Sequence, residues 1–249
     1  SNGARGRRAA RVAKKTMPMP ENDFAVAAMV RHCDLLLRER LGQAGQVRGL
    51  MVGCGSGDEV VYLRRSFATR RIVGCDIGEI FSARARAAGC VLVGDGQGLP
   101  FGDASFDFVA AFHSLEHVDD PRTVLSEVRR VLSPGGWFYM GVPNRSRLIG
   151  YVGAFGPSTW QKVAFNVRDF YHRATGKFEN RLGAHAGFAA GELQSLLGQY
   201  FASTTLITEP YLRFKYGGRL PKLFLDLLLA RGVINYSAAA HYALCRKAG

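Results

Sequence analysis

The stretch "VGCGSGDEVVYL", residues 52–63, decides how this chain is read. An apolar run ends at Val52, glycines follow at Gly53, Gly55 and Gly57, and apolar residues resume at helical spacing with Val60, Val61 and Leu63. Three glycines in five positions mark a backbone that turns sharply, or one that another group approaches very closely. The order strand, glycine loop, helix leaves one question: what the loop holds.

Outward from this loop, apolar runs and helical patterns alternate. "GLMVG", "RIVGC", "VLVG", "FDFVAAF" and "GWFYMGV" read as strands, with helices predicted over 58–67, 79–88 and 121–132. Upstream, Phe24, Met29, Leu36 and Leu37 lie on one face of an amphipathic helix over about 21–41. Strands alternating with helices of this length build an α/β fold, a mostly parallel sheet with helices on both faces. In such sheets ligands bind outside the carboxyl ends of the strands, at the switch point beside the first strand. Residues 53–57 fall there.

The chain of 249 residues is 47% hydrophobic, enough for one full domain core. Its five cysteines, Cys33, Cys54, Cys75, Cys90 and Cys245, are scattered without a CxxC pair, which argues against a disulfide framework or a zinc knuckle and for a reducing, cytoplasmic home. No apolar run is long enough to span a bilayer, and no apolar segment follows the basic start as a secretory signal requires. The net charge of +13 is unevenly spread. Residues 1–15 hold six basic and no acidic side chains, 16–144 hold thirteen and fifteen, and 145–249 hold fourteen and five. The excess therefore sits at the two ends around a nearly neutral core. The expected division is a basic arm at 1–20, then one domain over 21–249: an N-terminal helical cap at 21–45, a ligand-binding core at 47–144, a C-terminal elaboration at 145–236 and a final strand at 237–249.

A dinucleotide is the first ligand to weigh, but Asp58 stands where the third glycine of that fingerprint belongs. A carboxylate at a helix N-terminus repels a pyrophosphate, so a nucleoside without phosphates fits better. Asp76, nineteen residues after Gly57, ends the second strand, where a carboxylate can take both ribose hydroxyls.

At this point the chain resembles the class I S-adenosylmethionine-dependent methyltransferases, in the ubiquinone/menaquinone-type O-methyltransferase-like branch, from about residue 47 to 144. "VGCGSG" resembles the motif that cradles the methionine part of the cofactor, "GCDIG" the one whose acid takes the ribose, and "GDGQGLPF" the one at the adenine. "SFDFVAAFHSLEHVDDPRTVLSEVRRVLSPGGWFYMGVPN" resembles the remainder of the small-molecule branch. The resemblance implies a Rossmann-like seven-stranded sheet whose last strand, "HYALCRK", is antiparallel, with S-adenosyl-L-methionine held by Gly53, Cys54, Gly55, Gly57, Asp76, Ile77, Asp95, Gly96, Gln97 and His113. The chain departs from the family at Met51, where an acid usually helps fix the loop and the cofactor's ammonium.

Methyl transfer asks little of catalytic groups, because alignment alone is worth about 7–11 kcal/mol. A general base adds about 10²–10⁴-fold for a hydroxyl acceptor. His117 and His113 are the candidate bases, acting without a metal. Members of the branch carry acids and a histidine here as a metal site, but His113 replaces one of those acids. Glu116 and His117 also read as hydrogen-bonded supports of their own loop. Beyond residue 144, aromatic and basic residues interleave. Trp160, Arg168, Tyr171 and His185 are expected at the acceptor, in the segment where the family builds its lid. Their chemistry points to an anionic or lipid-linked small molecule, and to peripheral contact with a membrane surface. The sequence reading is therefore methylation, most naturally O-methylation, of a small-molecule, lipid-linked or glycan acceptor. Two other readings stay open: an RNA methyltransferase using the basic ends, although the neutral core disfavours nucleic acid, and a non-catalytic nucleoside-binding scaffold, given Met51.

Overall fold

The computed structural model describes residues 27–42, 46–148, 158–175 and 187–249. The basic arm at 1–20, the first residues of the predicted N-terminal helix and His185 lie outside them.

Four residues, Gly49–Val52, form the central strand β1, and every one is buried. It is flanked by β2 (Ile72–Asp76) on one side and β4 (Phe106–Phe112) on the other, both parallel to it. The order across the seven-stranded sheet is β3-β2-β1-β4-β5-β7-β6, with β3 at Val91–Val93, β5 at Leu132–Pro143, β6 at Ser203–Leu206 and β7 at Ala240–Arg246. Strand β7 runs antiparallel to both β5 and β6. This agrees with the expectation of a mostly parallel sheet with "HYALCRK" as its antiparallel strand.

Because successive strand side chains point to opposite faces, each strand feeds two cores. Leu50, Val52, Val109 and Met140 meet Leu125 and Val128 of α4 (Pro121–Val131) and Leu193 and Leu197 of α6 (Ala190–Gly198). Met51, Phe108, Tyr139 and Leu244 face the other way. They meet Cys33 and Leu37 of α1 (Ala28–Leu41), Val60 and Leu63 of α2 (Asp58–Ser66) and Tyr211 of α7 (Thr208–Tyr216). The position where the family resemblance expects an acid is thus filled by a methionine of the core, 1% exposed.

Helix α3 is Ala83–Ala87, shorter than the predicted 79–88. Ser82 explains its late start, since its hydroxyl caps the helix by accepting the Ala85 N–H at 3.0 Å. Strand β6 was not among the strands read from the sequence. Beyond β5 stand α5 (Thr159–Ala174), α8 (Lys222–Leu228) and α9 (Ile234–Ser237). Among the described residues no helix is long and apolar enough to cross a membrane.

Candidate active site

The chain passes from β3 on one side of β1 to β4 on the other, which opens a crevice at the carboxyl end of β1. The glycine loop occupies it. Gly53, Gly55 and Gly57 all have positive φ, at 69°, 54° and 78°. A Cβ on Gly53 would lie 2.4 Å from Ser114 Cβ, so the loop is pressed against the end of β4. At Gly55 a Cβ would meet nothing within 4 Å, so this side of the loop is open to a ligand's close approach.

Asp76 fastens the loop while keeping carboxylate lone pairs available. Its Oδ2 accepts the Gly55 N–H at 2.8 Å and its Oδ1 accepts the Gly78 N–H at 2.9 Å. Asp58 braces the loop from the other side, accepting from the hydroxyls of Ser56 at 3.1 Å and Ser82 at 2.7 Å. Next to Asp76, Ile77 is 75% exposed. An apolar side chain standing open beside this carboxylate offers a flat ring a surface to lie on. The turn after β3 completes this rim. Asp95 Oδ1 accepts the Gln97 N–H at 2.9 Å, and a Cβ on Gly96 would sit 3.2 Å from Val52 of β1. A loop open at Gly55, a carboxylate, an apolar platform and a second turn beside them fit a nucleoside carrying a short polar chain. Cys54 lines the loop through its backbone, for its thiol is buried and burial pushes its pKa up to about 12.

His113 directly follows β4, in the left-handed backbone region at φ 51°, with its N–H bonded to Gly141 O at 2.8 Å. A non-glycine residue held there is strained, and such strain clusters at functional sites. The imidazole Nδ1 lies 3.5 Å from Oε1 of Glu116, and its ring meets Tyr242 edge-on at 6.5 Å. Glu116 is fully buried, and neither carboxylate oxygen has a hydrogen-bond partner among the described residues. His117, by contrast, is exposed. The two neighbours read as hydrogen-bonded supports of their loop therefore differ, Glu116 buried without a hydrogen bond among the described residues and His117 exposed, in a short 3₁₀ turn. Among the described residues no three His, Cys, Asp or Glu side chains converge as a metal site.

Sequence reasoning missed Glu59, in the first turn of α2 directly after the loop. Loss of solvent pushes its carboxyl up to about 7, against the opposing influence of His113. An acid placed ahead of "VVYL" was the available signal. Of the residues expected at the acceptor, Trp160, Arg168 and Tyr171 lie on α5, all exposed.

Residues 50–140 match the family described as a methyltransferase domain. O-methyltransferase rstn1 of Aspergillus nomiae is 34% identical over 125 residues, 47% of this chain and 55% of that protein. Fatty-acid O-methyltransferase of Mycolicibacterium smegmatis is 40% identical over 96 residues, 36% of this chain and 35% of that protein. The chain thus spans between about a third and just over half of these relatives' length. The crystal structure of an S-adenosylmethionine-dependent methyltransferase from Mesorhizobium loti shares the fold, with a TM-score of 0.56 at 20% identity, covering 89% of this chain and 99% of that one. The glycine loop, Asp76 and this family match together make residues 50–140 of the chain a class I S-adenosylmethionine-dependent methyltransferase domain, with S-adenosyl-L-methionine as its cofactor.

Proposed function

We propose that the protein methylates an oxygen of a small, partly apolar acceptor, with His113 as the group that takes the acceptor's proton. When bound, the cofactor supplies a methyl group on a sulfonium, which leaves as a neutral thioether once an oxygen takes the methyl. Residues 53–57, Asp76, Ile77 and the turn at Asp95–Gln97 hold and orient it. His113 lies beside this rim, since its neighbour Ser114 touches Gly53. The observation that carries the reading is the pairing of His113 with a buried, otherwise unpartnered carboxylate. With Nδ1 turned to Glu116, Nε2 is left to accept the hydroxyl proton, and the carboxylate steadies the imidazolium that results. The O-methyltransferase relatives support oxygen as the acceptor atom, though C-methyltransferases are also among the relatives.

The test is transfer of labelled methyl from S-adenosylmethionine into fractionated lipid and small-molecule extracts, with the labelled product identified. His113→Ala is expected to lower turnover about 10²–10⁴-fold with cofactor affinity little changed. Glu116→Gln is expected to lower it less and to shift the pH profile. No transfer into any fraction, or equal turnover in His113→Ala, overturns the reading.

A further inference from the structure

Helix α5 is built inside out. At 100° per residue, Trp160, Val163, Val167, Phe170 and Tyr171 fall on one side, and Asp169 lies roughly 180° round from Trp160. The apolar side is the exposed one: Trp160 is 83% exposed and Val167 63%. The opposite side holds the helix to the domain, where buried Asp169 accepts a hydrogen bond from buried Arg147. A water-facing helix ordinarily shows the reverse arrangement.

A second apolar face stands on α8. Leu225 points inward, while Leu223 is 76% and Leu227 61% exposed, with Phe224 also exposed. One short segment at the end of β5 holds α5 directly and α8 by way of α9. Arg147 holds α5, the Asn144 side-chain amide donates to Asn235 O at 2.7 Å and Ala238 O at 2.8 Å, the Leu148 N–H donates to Tyr236 O at 2.8 Å, and the Ser237 hydroxyl of α9 donates to Leu228 O of α8 at 2.6 Å. Leu148 and Tyr236 are themselves exposed. The segment leaves the carboxyl end of β5, the end of the sheet that carries the glycine loop.

Charge selects among the surfaces that would cover such a face. Residues 213–231 carry five basic side chains and one acid, Asp226, which pairs with both Arg213 and Lys222. Among the described residues no ion pair involves Lys215, Arg219 or Arg231. Arg168 flanks the apolar stripe of α5. Exposed Trp, Phe, Val and Leu beside unneutralised Lys and Arg is the make-up of a helix that lies in a bilayer interface carrying anionic lipid.

We propose that α5 and α8 form a docking face for an anionic membrane surface, which brings the mouth of the site to the bilayer. This goes beyond the methyl-transfer reading and is tested without it. The 249-residue chain is sedimented with vesicles of phosphatidylcholine alone, or with about 30% phosphatidylglycerol added to supply the negative surface potential. Binding is expected to the mixed vesicles only, and to weaken as salt is raised. The chain has two tryptophans, so Trp137→Phe leaves Trp160 as sole reporter, and its emission should shift to the blue on binding. Trp160→Glu with Val167→Glu, and separately Leu223→Glu with Leu227→Glu, should each weaken binding at least about tenfold, with the thermal transition unchanged. Absence of binding to the mixed vesicles, or undiminished binding in both double variants, overturns the proposal. So does concentration-dependent self-association that the α5 variant abolishes, which would assign the face to a second copy.

Discussion

Two regions of the domain treat their side chains in opposite ways. Around the glycine loop, polar groups turn onto the chain itself: Asp76 and Asp95 accept backbone N–H groups of Gly55, Gly78 and Gln97, and Asp58 accepts the hydroxyls of Ser56 and Ser82. On α5 and α8, apolar groups turn outward, away from the core. The first arrangement is preorganised, since the loop's conformation is held before any ligand arrives, and ordering it on binding costs little. The second leaves apolar surface in water, which is unfavourable until something covers it. A rigid, inward-bonded loop suits a ligand of one fixed shape, whereas outward-facing apolar helices suit an extended surface.

Substitution at matched positions sharpens this contrast most. Gly53→Ala puts a Cβ 2.4 Å from Ser114 in a left-handed backbone, and should cost about 1–3 kcal/mol of stability and abolish cofactor binding by calorimetry. Trp160→Ala should change stability by no more than about 0.5 kcal/mol, as exposed positions ordinarily do, by urea denaturation. Equal losses at both positions would erase the distinction between the two regions.

Asp76→Ala comes next, with an expected loss of about 1.5–3 kcal/mol in cofactor binding, the range for hydrogen bonds to a charged group. Because Asp76 also receives the Gly55 N–H, Asp76→Asn separates the two duties. It keeps an acceptor for the loop and loses the charge. Unchanged affinity in the alanine variant would remove Asp76 from the site.

The smallest effect is expected at Glu59, where Met51 leaves the loop without its usual acid. In the unfolded chain this carboxyl ionises near its ordinary value of 4.5, and in the folded chain near 7. The folded protein therefore holds an extra proton between these values. Glu59's own contribution to stability is greatest below pH 4.5 and is lost as pH rises through 7. If Glu59 serves the cofactor's positive charge, affinity must rise as pH passes from 6 to 8. Glu59→Gln should flatten that rise and weaken binding at pH 8 by about 0.5–1.5 kcal/mol, the usual net contribution of one hydrogen bond. A pH profile identical in the variant would leave the missing acid without a replacement here.

Much of the sheet was legible because its strands are short apolar runs closed by glycine or a turn residue, as in "GLMVG" and "FDFVAAF". Strand β6 was not, because "STTL" is polar and lies at the sheet's edge, where only one neighbour pairs with it. In the site, Asp76 and the glycines were legible from spacing alone. The burial of Glu116 beside an exposed His117 was not, since a single 3₁₀ turn has no repeating period from which burial can be read. The outward face of α5 was half legible. Its aromatic and basic residues were plain, but the side they occupy depends on Arg147, which holds Asp169 from outside the helix.

All five cysteines are buried as free thiols, and burial raises their pKa values, to about 12 at Cys54 and about 11 at Cys75. Alkylation needs both access and thiolate, so each thiol becomes a clock for the opening of its own part of the fold. Cys54 times the glycine loop, Cys33 the α1 layer and Cys245 the antiparallel edge. A ligand seated on the loop would slow the first clock while leaving the other two running at their own rates.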